Sequence, residues 1–219
     1  MPLDIILLQV ASPAYRCLLD VTRSGQSEYC SRHNIRYESP PLTDNPVYGE
    51  REWVMLQYLD NTDWLWFMGA DAFVTNHTVD VREFIEPDID FVVAWDWGFI
   101  NNDVLLMRNC DEMRDMITSV IEGQESYGND QTGMATVTCV PGAVKSGSIK
   151  WTAPNGLRCK LIHQKNTIPS GFNAYPYARL GCDVPDGEWS KGDFIMHLPS
   201  VSNDRRIKIM LETLPDIVR

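Results

Sequence analysis

Apolar and polar positions along this chain fall in blocks of strand and helix length. "LDIILLQV" (3–10) is a continuous apolar run, the pattern of a strand covered on both faces. Ser12 and Pro13 supply an N-cap and a proline at the first helical position. A mostly helical segment from Ala14 to His33 follows, with Gly25 as the expected break. "IRYES" (35–39) reads as a short second strand and "PPLTDNP" (40–46) as a loop. Over "YGEREWVMLQYLD" (48–60), apolar Trp53, Val54, Leu56, Tyr58 and Leu59 predict an amphipathic helix. "WLWFMG" (64–69) and "FVVAW" (91–95) read as further buried strands. This β-α-β-α-β alternation predicts a parallel sheet with helices on both faces.

The second half is less regular. "DVLLMRN" (103–109) predicts a strand, and "DEMRDMITSVIEG" (111–123) a helix closed by Gly123. "GNDQTGMATVTC" (128–139) predicts a capped helix. From Pro141 to Gln164 the sequence is Gly-rich and β-like, and Asn155-Gly156 is a hairpin turn signal. "GDFIMHLPS" (192–200) predicts a short strand ending in His197, and "NDRRIKIMLETL" (203–214) a helix. With no repeat or linker, residues 1–219 read as one domain, and the chain could be a segment of a longer protein.

Composition narrows the partners. The 219 residues are 44% hydrophobic with seven Trp, enough for a sizeable core. A net charge of −11, from 19 basic and 30 acidic residues, argues against nucleic acid and anionic membrane surfaces. A phosphorylated ligand stays compatible with an acidic chain if a metal ion supplies positive charge. No membrane span is expected, and "IILLQV" after Asp4 is too short for a signal peptide. The cysteines at 17, 30, 110, 139, 159 and 182 form no C-x-x-C pair, so zinc is not expected. Their spacing predicts free thiols in a reducing compartment, with one disulfide as the alternative.

Asp71 is the candidate that position favours. It follows "WLWFMGA" at the exit of a buried strand, where a parallel sheet binds ligands and where divalent ions find hard oxygen ligands. The plain alternative is a turn aspartate capping a backbone amide. His197 also ends a predicted strand; imidazole, carboxylate and phosphate oxygens together suit Mn²⁺, whereas Mg²⁺ prefers oxygen ligands and water. Asn101, Asn102 and Asp103 form a polar group before a strand, suited to reading hydroxyls or simply to a turn. Asn129 or Asp130 of "NDQ" could be only a helix cap. Asp96, between Trp95 and Trp97, could belong to a sugar-stacking surface or to the core. No P-loop, Gly-x-Gly-x-x-Gly, Gly-x-Ser-x-Gly or His-Glu-x-x-His motif is present.

The order of motifs resembles GT-A-fold glycosyltransferases, most closely the galactosyl- and xylosyltransferases of glycosyltransferase family 34. "SEYCSRHNIRYE" is similar to that family's Tyr-Ala-x-x-His-Gly-Tyr segment, and "EWVML" to its Trp-x-Lys helix. "WLWFMGADAFVTN" resembles its Trp-Trp-x-Asp-x-Asp-Ala strand. "GFINNDVLLMRNC" resembles Gly-x-Asn-Thr-Gly-x-x-Leu-x-Arg-Asn-Cys, and "NDQ" its Asp-Gln. "FNAYP" and "GDFIMHLPS" resemble its Asn-x-Tyr and Gly-Asp-Phe-x-x-His elements, so the likeness spans residues 1 to 200. The chain departs from the pattern at Gly69, where the family has the first Asp of Asp-x-Asp, and at Met55, where it has the helix lysine. No Golgi anchor of the family's kind is expected, and in this the chain resembles the small enzymes encoded by large algal viruses, which work in host cytoplasm.

The resemblance implies an α/β GT-A fold: a mostly parallel, Rossmann-like sheet flanked by helices, with a small β-rich C-terminal portion. Residues 1–100 would be a nucleotide-binding half and 101–219 an acceptor and catalytic half. A UDP-sugar would lie against Val10, Ala11, Tyr15, Ala70, Asp71, Asn101 and Asn102. Asp71 and His197 would hold Mn²⁺ (or Mg²⁺) on the diphosphate, with Arg205 or Arg206 in place of a family lysine. Asp130 and Gln131 would stabilise the cationic anomeric carbon in a retaining transfer, slightly favoured; an inverting one would use Asp130 or Asp96 as base. The acceptor would be a glycan or glycoprotein. Competing readings are a sugar-1-phosphate nucleotidyltransferase and a non-catalytic UDP-sugar-binding module.

Overall fold

A computed structural model describes residues 3–43, 49–95, 100–141, 148–162, 189–199 and 201–219. In chain order the elements are β1 (Ile5–Val10), α1 (Arg16–Arg32), β2 (Arg36–Glu38), α2 (Glu50–Leu59), β3 (Trp64–Gly69) and β4 (Ala72–Val74). Then come β5 (Phe91–Trp95), β6 (Ile100–Arg108), α3 (Asp111–Tyr127) and α4 (Asp130–Thr138). The last are β7 (Ser148–Thr152), β8 (Arg158–Ile162), β9 (Ile195–His197) and α5 (Asn203–Thr213).

Seven strands form one sheet in the order β2-β1-β3-β6-β5-β8-β7. Strands β2, β1, β3, β5 and β8 run the same way; β6 and β7 oppose them. The sheet is therefore mixed and mostly parallel. The continuous apolar runs have the expected cause, since both faces are covered. On β3, Leu65 and Phe67 pack with Met55 and Leu59 of α2 and Ile117 of α3. Trp64, Trp66 and Met68 point the other way, toward Tyr29 and Cys30 of α1 and Phe194. Alternate side chains of β3 thus meet apolar neighbours on both faces of the sheet.

Three local expectations change. Gly25 does not interrupt α1, which runs unbroken from Arg16 to Arg32 with open space where a β-carbon would point. A single interior glycine costs a helix about 1 kcal/mol, which tertiary packing offsets. Gly123 does not close α3 either. The Tyr127 ring lies where a β-carbon on Gly123 would stand, 2.2 Å from the nearest ring atom, and lies nearly as close to Gly133 of α4. Glycine there makes room for a ring between two packed helices. Asn101, Asn102 and Asp103 sit inside β6, which starts at Ile100, because pairing with β5 reaches back to Ile100. The expected hairpin is present, with Gly156 at φ +94° between antiparallel β7 and β8.

A two-stranded sheet sits beside the central one. Ala72 of β4 pairs with His197 of β9, and the Leu198 N–H donates to the Asp71 carbonyl at 2.9 Å. The Gln9 amide donates to the carbonyls of Gly69 and Ala72 at 3.0 and 2.8 Å, fixing the chain where it leaves β3 for β4. Among the described residues, no helix is long and apolar enough to cross a membrane.

Candidate active site

The carboxyl ends of β1 and β3 and the first residues of β6 open onto one pocket of about 350 Å³. Val10, Ala11 and Tyr15 form one side; Gly69, Ala70 and Asp71 line the exit of β3. Asp103, Arg51 of α2 and Arg206 of α5 complete the polar wall. Five residues expected at a donor site, Val10, Ala11, Tyr15, Ala70 and Asp71, therefore meet at one cavity.

Asp71, Asp103 and His197 present ligand atoms that all lie within 4.8 Å of one another. His197 Nε2 is 3.5 Å from Asp71 Oδ1 and 3.4 Å from Asp103 Oδ2. Ligands about 2.1 Å from a divalent ion, at octahedral to tetrahedral angles, are separated by about 3.0–3.4 Å. The spacing and the set of two carboxylates and an imidazole thus fit a divalent cation. His197 is fully buried. Burial alone would lower its pKa, but the Asp71 and Asp103 carboxylates outweigh it and raise the imidazole from 6.5 to about 9. Burial would likewise raise Asp103, yet the His197 hydrogen bond and the charges of His197, Arg51 and Arg206 hold it below the usual carboxylate range. The proton on His197 occupies the electrostatic position a cation would take.

Each carboxylate also meets an arginine. Arg206 Nη2 lies 2.9 Å from Asp71 Oδ2, and Arg51 Nη1 lies 3.2 Å from Asp103 Oδ1. Arg51 is shared further, with Asp130 Oδ2 at 2.5 Å and with buried Glu52 at 3.0 Å. Burial opposes the Arg51 charge, but Glu52, Asp130 and Asp103 raise its pKa above the ordinary arginine value.

The amides of β6 act within the protein. Asn101 Oδ1 accepts from the Asp103 N–H at 2.9 Å, and its amide nitrogen lies 3.4 Å from His197 Nδ1. Asn102 donates to Asp130 Oδ1 at 2.7 Å, and Gln131 donates to the Ile100 carbonyl at 2.6 Å. These bonds tie the start of α4, capped by Asn129, to the start of β6. Arg205 is exposed on α5, whereas its neighbour Arg206 is buried. Asp96 and the "FNAYP" segment lie outside the described residues.

Solved structures with similar folds decide the architecture. A glycosyltransferase involved in the glycosylation of the major capsid of PBCV-1 superposes with a TM-score of 0.69 at 17% identity, covering 95% of this chain and 99% of that one. The chain has the GT-A fold. The galactosyltransferase LgtC, solved with donor and acceptor sugar analogues, matches with a TM-score of 0.58 at 11% identity, over 98% of this chain and 96% of its own. The bifunctional glycosyltransferase WbbM matches with a TM-score of 0.57 at 9% identity, over 99% of this chain and 50% of its own. No protein-family profile and no curated protein sequence matches. At such identities the likeness carries the fold, and the residues must carry the chemistry.

Within the GT-A frame, Asp103 is the ligand candidate that sequence reading missed. Aligned on Arg108, Asn109 and Cys110, the Asn-Thr-Gly of the resembled pattern falls on Asn101, Asn102 and Asp103. The pattern's first Asp falls on Gly69. An acid and a glycine have changed places between two neighbouring strands. That double departure was the available signal.

Proposed function

We propose that the protein is a metal-dependent glycosyltransferase that moves a hexose from a UDP-sugar to a hydroxyl of a glycan or glycoprotein. The observation that carries this reading is the Asp71–Asp103–His197 cluster at the mouth of a strand-end pocket in a GT-A fold. Mn²⁺ is the cation we assign, because imidazole in the ligand set suits it better than Mg²⁺.

Asp71, Asp103 and His197 would hold the cation, which when bound supplies Lewis acidity against the charge of the leaving nucleotide. Arg206, buried beside Asp71, would add a second positive charge toward the diphosphate, the role expected of Arg205 or Arg206. Val10, Ala11 and Tyr15 would receive the base, Ala70 and Asp71 the ribose and diphosphate side, with Asn101 and Asn102 as supports. We assign Asp130 and Gln131 to the sugar. Asp130 Oδ1 accepts from Asn102 and from the Gln131 N–H, while Oδ2 meets Arg51. These bonds fix the orientation of the carboxylate and would set its charge beside a developing oxocarbenium ion rather than at an acceptor hydroxyl. This favours retention over inversion with Asp130 as base.

Gly69 in place of an acid is what a non-catalytic module would lean on; Asp103, a carboxylate beside Asp71, supports the catalytic reading instead. We read residues 1–219 as one catalytic domain and place it in the cytoplasm, the host's if the chain is viral. The free thiols at Cys17, Cys30, Cys110, Cys139 and Cys159 support a reducing compartment. The test is Mn²⁺-dependent UDP release from a panel of UDP-hexoses. Release should disappear with EDTA and in Asp71→Ala. Equal release by wild type and variant would refute the proposal.

A further inference from the structure

The two site arginines are compensated differently. Arg51 is shared by Glu52, Asp103 and Asp130, and its guanidinium lies over the Phe67 ring at 5.2 Å. Three carboxylates and an aromatic ring hold it to the protein, although it lines the pocket. Among the described residues Arg206 has one carboxylate partner, Asp71. The rest of its guanidinium is anchored: Nε donates to the Leu198 carbonyl at 2.8 Å, Nη1 to Asn203 Oδ1 at 3.0 Å, and the group lies over the Tyr15 ring at 5.3 Å. Only Nη2 meets the pocket carboxylate, and Arg206 lines the pocket, so another anion bound there would compete with Asp71 for it.

Asp71 is divided in the same way. Oδ1 faces His197, where a cation fits, and Oδ2 is taken by Arg206. A divalent ion on Oδ1 would bring a doubly charged cation against the guanidinium on Oδ2 in a largely buried site, where like charges repel strongly. An incoming diphosphate reverses the balance, because it attracts both.

Resting on the donor and cation reading above, we propose that Arg206 is an exchangeable partner. It pairs with Asp71 while the site holds neither ligand and passes to the donor diphosphate when the cation takes Asp71. Cation and nucleotide diphosphate therefore bind as a coupled pair. Linkage makes the coupling reciprocal, with a typical size of about 5–150-fold.

The test is calorimetry of Mn²⁺ into the full chain, with and without saturating UDP, in wild type and Arg206→Gln. In wild type, UDP should tighten Mn²⁺ binding at least about 5-fold. In Arg206→Gln, Mn²⁺ alone should bind more tightly than in wild type, and the enhancement by UDP should shrink toward onefold. If the variant weakens Mn²⁺ binding equally with and without UDP, Arg206 is only a structural residue and the inference is wrong. A melt checks folding of the variant, and Asp71→Asn gives a second arm. With Arg206 released, this variant should bind UDP in EDTA more tightly than wild type does; unchanged affinity overturns the exchange. Wild type that binds Mn²⁺ with UDP but shows no change in coupling in Arg206→Gln sinks the exchange alone. Wild type that binds neither ligand sinks the donor site as well.

Discussion

A β-carbon on Gly69 would lie 3.1 Å from both the β-carbon and Oδ1 of Asp103. The two residues follow Met68↔Val104 in the antiparallel register of β3 and β6, and the Asp103 side chain lies across the space above Gly69. The positions share room for one carboxylate. An acid at 69 would meet Asp103 both sterically and as a like charge, so the chain carries glycine on one strand and aspartate on the other.

Asp103 should therefore matter to the cation as much as Asp71 does. Loss of an outer-shell partner costs a metal site about 10–100-fold in affinity, and loss of a direct ligand should cost at least the upper end. Asp103→Ala and Asp71→Ala are each expected to weaken Mn²⁺ binding in the presence of UDP by about 100-fold or more. Near-wild-type affinity in Asp103→Ala would remove it from the ligand set.

The shared space gives a double-mutant cycle. Gly69→Asp should impair cation binding through crowding and repulsion, and Asp103→Gly through loss of a ligand. Together, Gly69→Asp and Asp103→Gly should restore cation binding toward the wild-type level, because one carboxylate again faces Asp71 and His197. Strictly additive losses, read by calorimetry, would contradict the exchange.

His197 sets a pH dependence. Its pKa in the cation-free protein is raised to about 9 by Asp71 and Asp103. The protonated imidazole therefore adds stability that is complete below its unfolded value near 6.5 and is lost as pH rises toward 9. A cation must displace that proton. Mn²⁺ affinity should climb by up to about 10-fold per pH unit from pH 6.5 to 8, with one proton released. A flat profile, or no dependence on buffer ionisation enthalpy, would show that His197 is not displaced.

Arg51 should prove structural as well as local to the site. Glu52 is almost fully buried, so Arg51→Met leaves it without its guanidinium partner. Breaking a buried pair on one side costs about 3–5 kcal/mol. Thermal or urea unfolding should show a large loss, partly recovered when Glu52→Gln is added. A variant as stable as wild type would mean that other contacts hold Glu52 without Arg51.

Tyr29 gives a test remote from the pocket. Its hydroxyl donates to the Val79 carbonyl at 3.0 Å and accepts from the Val81 N–H at 3.1 Å, with the side chain fully buried. Tyr29→Phe should cost about 1–3 kcal/mol by leaving two backbone groups unsatisfied, with little change in Mn²⁺ affinity. Metal binding that fell with the melting temperature would tie the α1 side of the sheet to the site.

Sequence alone determined the elements whose information is local. Continuous apolar runs at 3–10 and 64–69 read as strands covered on both faces, and Asp71 at the end of one was legible as a strand-exit carboxylate. His197 was legible for the same reason. The glycines at 25 and 123 misled, because whether a glycine ends a helix depends on what packs against it, and Tyr127 does so at 123. Tertiary structure alone decided the completed site. Asp103 joins Asp71 because β6 is inserted antiparallel beside β3, Arg51 reaches both Asp103 and Asp130 from α2, and α5 turns Arg206 inward. Cross-strand register and helix rotation fix those meetings, and neither is written in the spacing of residues along one segment.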